Sequence, residues 1–97
     1  MKTWTTPTVV IDVPDGGDAL AAASKVIVAA RGWRGAVEKA GNVSGTSVSC
    51  SYSQAETAEL GAGTIEFEVT VALPDGSVLK TDTVTATMEE AVLKREV

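Results

Sequence analysis

Few side chains in this sequence could carry chemistry. Glu66 and Glu68 sit two positions apart in an alternating stretch, so both project from one face of a strand. A carboxylate pair of that kind is what hydrolysis of a glycosidic bond requires. The face they share is the polar one, however, and solvated glutamates on an exposed sheet explain them more simply. Asp12, Asp15 and Asp18 cluster around a turn. Calcium takes six or more oxygens, and the alternating Asp ladder of an EF-hand loop is missing, so solvated turn carboxylates are expected. Cys50 is the only cysteine, which excludes an internal disulfide. Its neighbours include no cation that would lower a thiol pKa, so it reads as a small buried hydrophobe. Trp4 and Trp33 are the only side chains that could form the aromatic platform of a sugar site.

The absences restrict function further. There is no histidine, hence no Ser-His-Asp arrangement and none of the commonest metal ligand. Neither a P-loop nor a glycine-rich dinucleotide fingerprint occurs. No catalytic, cofactor-binding or metal site is expected, and no cofactor. The net charge of −5 is spread without any Lys/Arg cluster, which disfavours nucleic acid and anionic membrane surfaces as partners. No apolar run reaches the length of a membrane span, and MKTWTTPT lacks the apolar core of a signal peptide. Asn42-Val43-Ser44 matches a glycosylation acceptor only by chance in that context.

The elements that must position these residues are organised around one stretch, residues 64–88. Ile65, Phe67, Val69, Val71 and Leu73 alternate with Glu66, Glu68, Thr70 and Ala72, the period of a strand. Pro74-Asp75-Gly76 carries the chemistry of a three-residue hairpin loop with a glycine bulge. On the return arm Val84, Ala86 and Met88 share a face on which Lys80 and Asp82 also fall, and a bulge near Thr81 would repair the register. Upstream, Val9, Ile11 and Val13 form a first strand. Residues 19–23 read as a helical turn, with Asp18 a possible cap, and residues 25–31 as a strand because Val26-Ile27-Val28 are β-branched. Gly32-Trp33-Arg34-Gly35 is a turn, with Trp33 expected in the core. Residues 36–39 return as a short strand. Ala40-Gly41-Asn42 and Ser44-Gly45 supply turns, and residues 46–52 alternate again, with Val48, Cys50 and Tyr52 on one face. Ser53-Gln54-Ala55-Glu56 is a capping box opening a helix over residues 54–60, with Gly61 past its end.

Short strands separated by turn signals predict an all-β fold: an immunoglobulin-like antiparallel β-sandwich with one short crossover helix at about residues 54–60. Residues 1–8 form an extended N-terminal arm, 9–88 the sandwich domain and 89–97 a C-terminal tail. Trp4 either folds back on its own core or anchors the arm on a neighbouring subunit. The tail either packs on the sandwich or docks on a partner through Met88, Val92 and Leu93.

The start KTWTTPT, the segment GTSVSCSYSQAETAEL and the stretch GTIEFEVTVALPDGSVLKTDTVTATM together resemble a group of small immunoglobulin-like virion structural proteins. These are encoded by phages and prophages of Gram-positive gut bacteria. In that group an RTWTTPTHTF-like phrase precedes a strand, a Gln-x-Glu-Thr helix follows a Gly-Asn-x-Val-x-Val strand, and an Asp-Gly hairpin closes the domain. Gln54, Glu56 and Thr57 match the middle phrase, and Asp75-Gly76 the hairpin. More loosely, the pattern is similar to the N-terminal domain of phage baseplate upper proteins. The Ala-rich segment 18–30 departs from it. The resemblance implies a virion structural protein, of capsid or tail, made in the cytoplasm of a bacterial host. Its partners would be other virion proteins and copies of itself, in an oligomer or a lattice, with Trp4, Pro7, Met88, Val92 and Leu93 as the contact residues. On this view, removing residues 1–7 would block incorporation and leave a folded monomer. The alternative is a module that binds a host surface or carbohydrate through Trp4 and Trp33.

Overall fold

The alternating stretch forms the longest strand of the protein, and the rest is laid against it. A computed structural model describes residues 1–97. In chain order the elements are β1 (Thr8–Asp12), α1 (Gly17–Ala22), β2 (Lys25–Arg31), β3 (Ala36–Ala40) and β4 (Asn42–Ser44), then β5 (Ser47–Ser51), α2 (Gln54–Leu60), β6 (Gly63–Ala72), β7 (Val78–Lys80) and β8 (Val84–Met88). One sheet has the order β1-β5-β4; the other runs β3-β2-β6-β7, with β8 also on β6. All strand pairings are antiparallel. The fold is mostly β, in two sheets with short helices, consistent with an immunoglobulin-like sandwich.

β6 is central because one of its faces is wholly apolar. Ile65, Phe67, Val69 and Val71 are all buried, while Glu66, Glu68 and Thr70 face outward. Val28 and Ala30 of β2, Val37 of β3 and Met88 of β8 extend the same inner face. Ile11, Val48, Cys50 and Tyr52 of the smaller sheet meet them, and Leu20 and Leu60 close the two ends of the core. The Tyr52 and Phe67 rings are 6.3 Å apart and tilted by 59°, near the edge-to-face geometry aromatic pairs prefer.

The hairpin follows its turn chemistry. Leu73 donates to Ser77 O at 2.9 Å, so Pro74, Asp75 and Gly76 form the loop, and Gly76 takes φ +91°. The return arm is broken where expected. Thr70 pairs with Lys80 but Phe67 pairs with Val84, so the register slips by one residue between β7 and β8. Thr81 fills the break: its amide donates to Val69 O, and its hydroxyl accepts from the Val69 amide, both at 3.0 Å. Two residues thus oppose one, as in a β-bulge.

The capping box is complete, with Glu56 N donating to Ser53 Oγ at 3.2 Å and Ser53 N donating to Glu56 Oε1 at 2.8 Å. α2 carries the chain from the small sheet to the large one, as its place in the sequence implies. α1 corrects one detail: Gly16, not Asp18, takes the N-cap position, and Asp18 lies inside the first turn with no side-chain cap bond. β4 is a strand where turns were expected. Its tight turn is Gly45-Thr46, which lets Ser44 face Ser47. Through Gly41, whose amide donates to Val26 O at 3.0 Å, the chain passes from β3 in one sheet to β4 in the other. The sandwich is therefore stitched along one side. On its other side β1 and the β7/β8 line are unpaired edges.

Candidate functional site

The two glutamates singled out in the sequence are each paired with a cation. Glu66 accepts from Arg31 at 2.8 Å, and Glu68 lies 3.4 Å from Lys80, both on the outer face of the large sheet. Asp12 Oδ1 accepts from Thr46 Oγ1 at 3.1 Å. No group of three or more His, Cys, Asp or Glu side chains is placed to hold a metal ion. Cys50 is buried, and burial is the main cause that pushes its thiol pKa up, away from the thiolate a nucleophile needs. Tyr52 beside it is shifted up by the same burial, and its hydroxyl has no hydrogen-bond partner. Lys39 reaches over that ring, 5.6 Å from its centroid, and forms a 2.7 Å ion pair with Glu56. The ion pair ties β3 of the large sheet to α2, over the Tyr52 ring.

The expected contact residues divide. Trp33 is corrected from core to surface: it is 76 % exposed, with the Arg34 guanidinium 5.9 Å from its ring. It sits in the short link between β2 and β3, and Gly32 beside it lies against the Leu60 carbonyl with no room for a side chain, which turns residue 33 outward. Met88 is corrected the other way. It is 1 % exposed, because it pairs with Gly63 and continues the inner face of β8, so it offers nothing to a partner. Val92 (98 % exposed) and Leu93 (52 %) lie on the surface.

Residues 1–8 do not extend from the domain. Thr3 N donates to Glu89 O at 2.9 Å, Glu89 N donates to Met1 O at 2.7 Å, and Ala91 N donates to Thr3 Oγ1 at 3.0 Å. Thr5 N donates to the hydroxyl of Thr57, a residue with no exposed surface, and Pro7 O accepts from Tyr52 N. Removing residues 1–7 would take the Thr5 partner from the buried Thr57 hydroxyl, which keeps its bond to Gln54 O, and the Met1 and Thr3 partners from the start of the tail. Trp4 is half-buried, with φ +60°, a left-handed backbone conformation that costs a non-glycine residue about 1 kcal/mol or more. Pro7 is half-buried at the entry to β1.

Two of the concavities on the surface bear on these residues. At the pole where β6 begins, Trp4 and Trp33 line a cavity of about 230 Å³ together with Arg34, Glu90 and Lys94. Along the unstitched side, a groove of about 350 Å³ runs between β1 and β7/β8. Ile11, Val13, Leu20, Val71, Leu79 and Val84 line it, and Asp12, Asp15 and Asp82 stand at it beside Lys80. The sequence named the two tryptophans of the first but gave no sign of the second, which is assembled from residues far apart in the chain.

The class the fold defines is a mostly β, two-sheet protein with short helices, consistent with an immunoglobulin-like sandwich. No family model, no curated protein and no solved structure matches the chain.

Proposed function

We propose that this chain is a virion structural protein of a phage or prophage, part of the capsid or of the tail or baseplate. It acts through assembly contacts with other virion proteins and copies of itself and catalyses no reaction. One observation carries the proposal: two unpaired strand edges flank an apolar groove along a single side of the sandwich. Open edges pair with other chains unless they are blunted, and a protein that assembles retains them. The phrases KTWTTPT, QAET and the Asp-Gly hairpin support the same reading by resemblance. The protein is made in the host cytoplasm and ends in the particle, with no cofactor, nucleic acid or membrane required. Mass spectrometry of purified particles, fractionated into heads and tails, tests it. The chain is expected at fixed copy number in one fraction, and its absence from both rejects the proposal.

A second reading draws on the cavity shared by Trp4 and Trp33, with Arg34, Glu90 and Lys94 at hand to bond hydroxyls. This is the composition of a saccharide site, with an aromatic platform and a few polar groups. Titration with host cell-wall glycans would quench Trp fluorescence if the cavity binds them. An unchanged spectrum across a broad panel excludes this role.

A further inference from the structure

The two ends of the molecule are complementary to each other. At one pole residues 91–97, AVLKREV, leave the domain without entering either sheet. Val92 and Val97 are 98 % and 89 % exposed, and Arg95 has no ion-pair partner. The tail is held at this pole by Gln54, whose side-chain amide donates to Val97 O at 3.3 Å and accepts from Val97 N at 2.8 Å. Towards the other pole lies the groove, whose lining is apolar and whose carboxylates outnumber its one lysine. Gly63 pairs with Met88 at the first pole and Ala72 with Val78 at the second, so the ends of β6 are about 30 Å apart at the usual rise of ~3.3 Å per residue. At the first pole the tail bends at Val92, Leu93 and Arg95 and presents those side chains at the surface, with Lys94 paired to Glu90 at 2.7 Å. The opposite end presents an apolar slot flanked by Asp12, Asp15 and Asp82, with strand edges on both sides.

We propose that residues 91–97 of one copy seat as an added strand in the groove of a second copy, head to tail. The inference deepens the assembly reading and rests on it. Taken up as a strand, with Lys94 released from Glu90, the segment would set Leu93 on the lining at Leu79 and Val84, with Arg95 on that same face, and Lys94 on the other face towards Asp12. Main-chain bonds to an open edge would fix the direction. Val13 N donates to Thr46 O towards β5. By the alternation of an antiparallel ladder, Val10 and Asp12 then turn their backbone groups to the open edge. Because donor and acceptor surfaces differ, the contact is heterologous and repeats into a ring or a filament. The local attraction of opposite charges also offsets the repulsion between copies that each carry −5.

The test mixes two single-cysteine full-length variants, Leu93→Cys and Leu79→Cys, each in a Cys50→Ala background, and oxidises them. The expected product is a mixed disulfide dimer in excess over either homodimer. Charge reversal of Lys94 and Arg95 to Glu should lower its yield by about threefold or more, as should high salt. The double variant Leu79→Cys/Leu93→Cys should give a ladder of oligomers. Only an internal, monomeric disulfide in that variant, or statistical yields of the three dimers in the mixture, overturns the proposal. If the chain is present in particles but the mixed dimer does not form, this inference fails alone. A mixed dimer from a chain absent from particles rejects the virion reading and leaves the self-association standing.

Discussion

Single residues decide where this sandwich can give way. Gly32 is the tightest point: a Cβ there would lie 2.1 Å from the Leu60 carbonyl oxygen and 2.9 Å from Ile65 Cδ1. A clash with backbone cannot be relieved by a rotamer change, so Gly32→Ala should cost roughly 1–3 kcal/mol, read from the urea midpoint. Glu56 is one carboxylate through which acid acts. Its carboxyl is held below the ordinary value of 4.5, first by the bond from Lys39 and then by the Ser53 amide. A depressed pKa means that the unfolded chain takes up the proton first. The contribution is therefore complete above the ordinary value and is lost as pH falls through the folded one. Glu56→Gln should destabilise the protein at neutral pH, and its deficit relative to wild type should shrink as pH drops below 4.5, in denaturation curves at stepped pH. At this scale the sequence was readable where cause was local. Ser53 and Glu56 specify their cap within four residues, and Pro74-Asp75-Gly76 specifies its own loop. Trp33 and Met88 were misplaced because their burial depends on neighbours far along the chain, Leu60 for the first turn and Gly63 for the second.

Among the elements, the return arm of the hairpin shows how an open edge is managed. The extra residue at Thr81-Asp82 bends the β7/β8 line and interrupts its ladder, which blunts it against indiscriminate pairing. Deleting Asp82 leaves Leu79, Thr81, Val84, Ala86 and Met88 in strict alternation, so a straight, continuous edge replaces the bulge. The expected result is a folded protein whose light scattering rises with concentration more steeply than that of wild type. The strands β1, β2, β5 and β6 were legible because apolar residues alternate in each or β-branched residues run together. β4 was not, since Asn42-Val43-Ser44 between glycines reads as turn, and only pairing with β5 makes it a strand. The arm formed by residues 1–8 was legible as extended chain but not as part of the domain, because its partners Thr57 and Glu89 lie far along the chain.

As a whole the molecule is a rod, 45 × 22 × 21 Å, with its strongest structure along the axis. β6 is paired on both sides, by β2 and by β7/β8, and its inner face is fully covered. Hydrogen exchange should therefore be slowest at Phe67 and Val69, fast in the tail, and intermediate in β1 and β7, each paired on one side only. Exchange in β1 as slow as in β6 would mean that the groove side is not open. The general architecture followed from alternation in the sequence, whereas the open side did not. It results from Gly41 passing the chain directly from β3 to β4 on one flank, whereas the crossing from β1 to β2 runs through α1 and leaves the β1 and β7/β8 edges apart.

The joint between the first residues and the start of the tail has a mechanical corollary. Lys2 and Glu89 run parallel, unlike every strand pair in the sheets. Tension applied between the two ends of the chain would drag these segments past one another lengthwise. The bonds from Thr3 to Glu89, from Glu89 to Met1 and from Ala91 to Thr3 would then bear the load together, where an antiparallel joint would unzip one bond after another. A latch of this kind would resist a pull far better than its small size suggests.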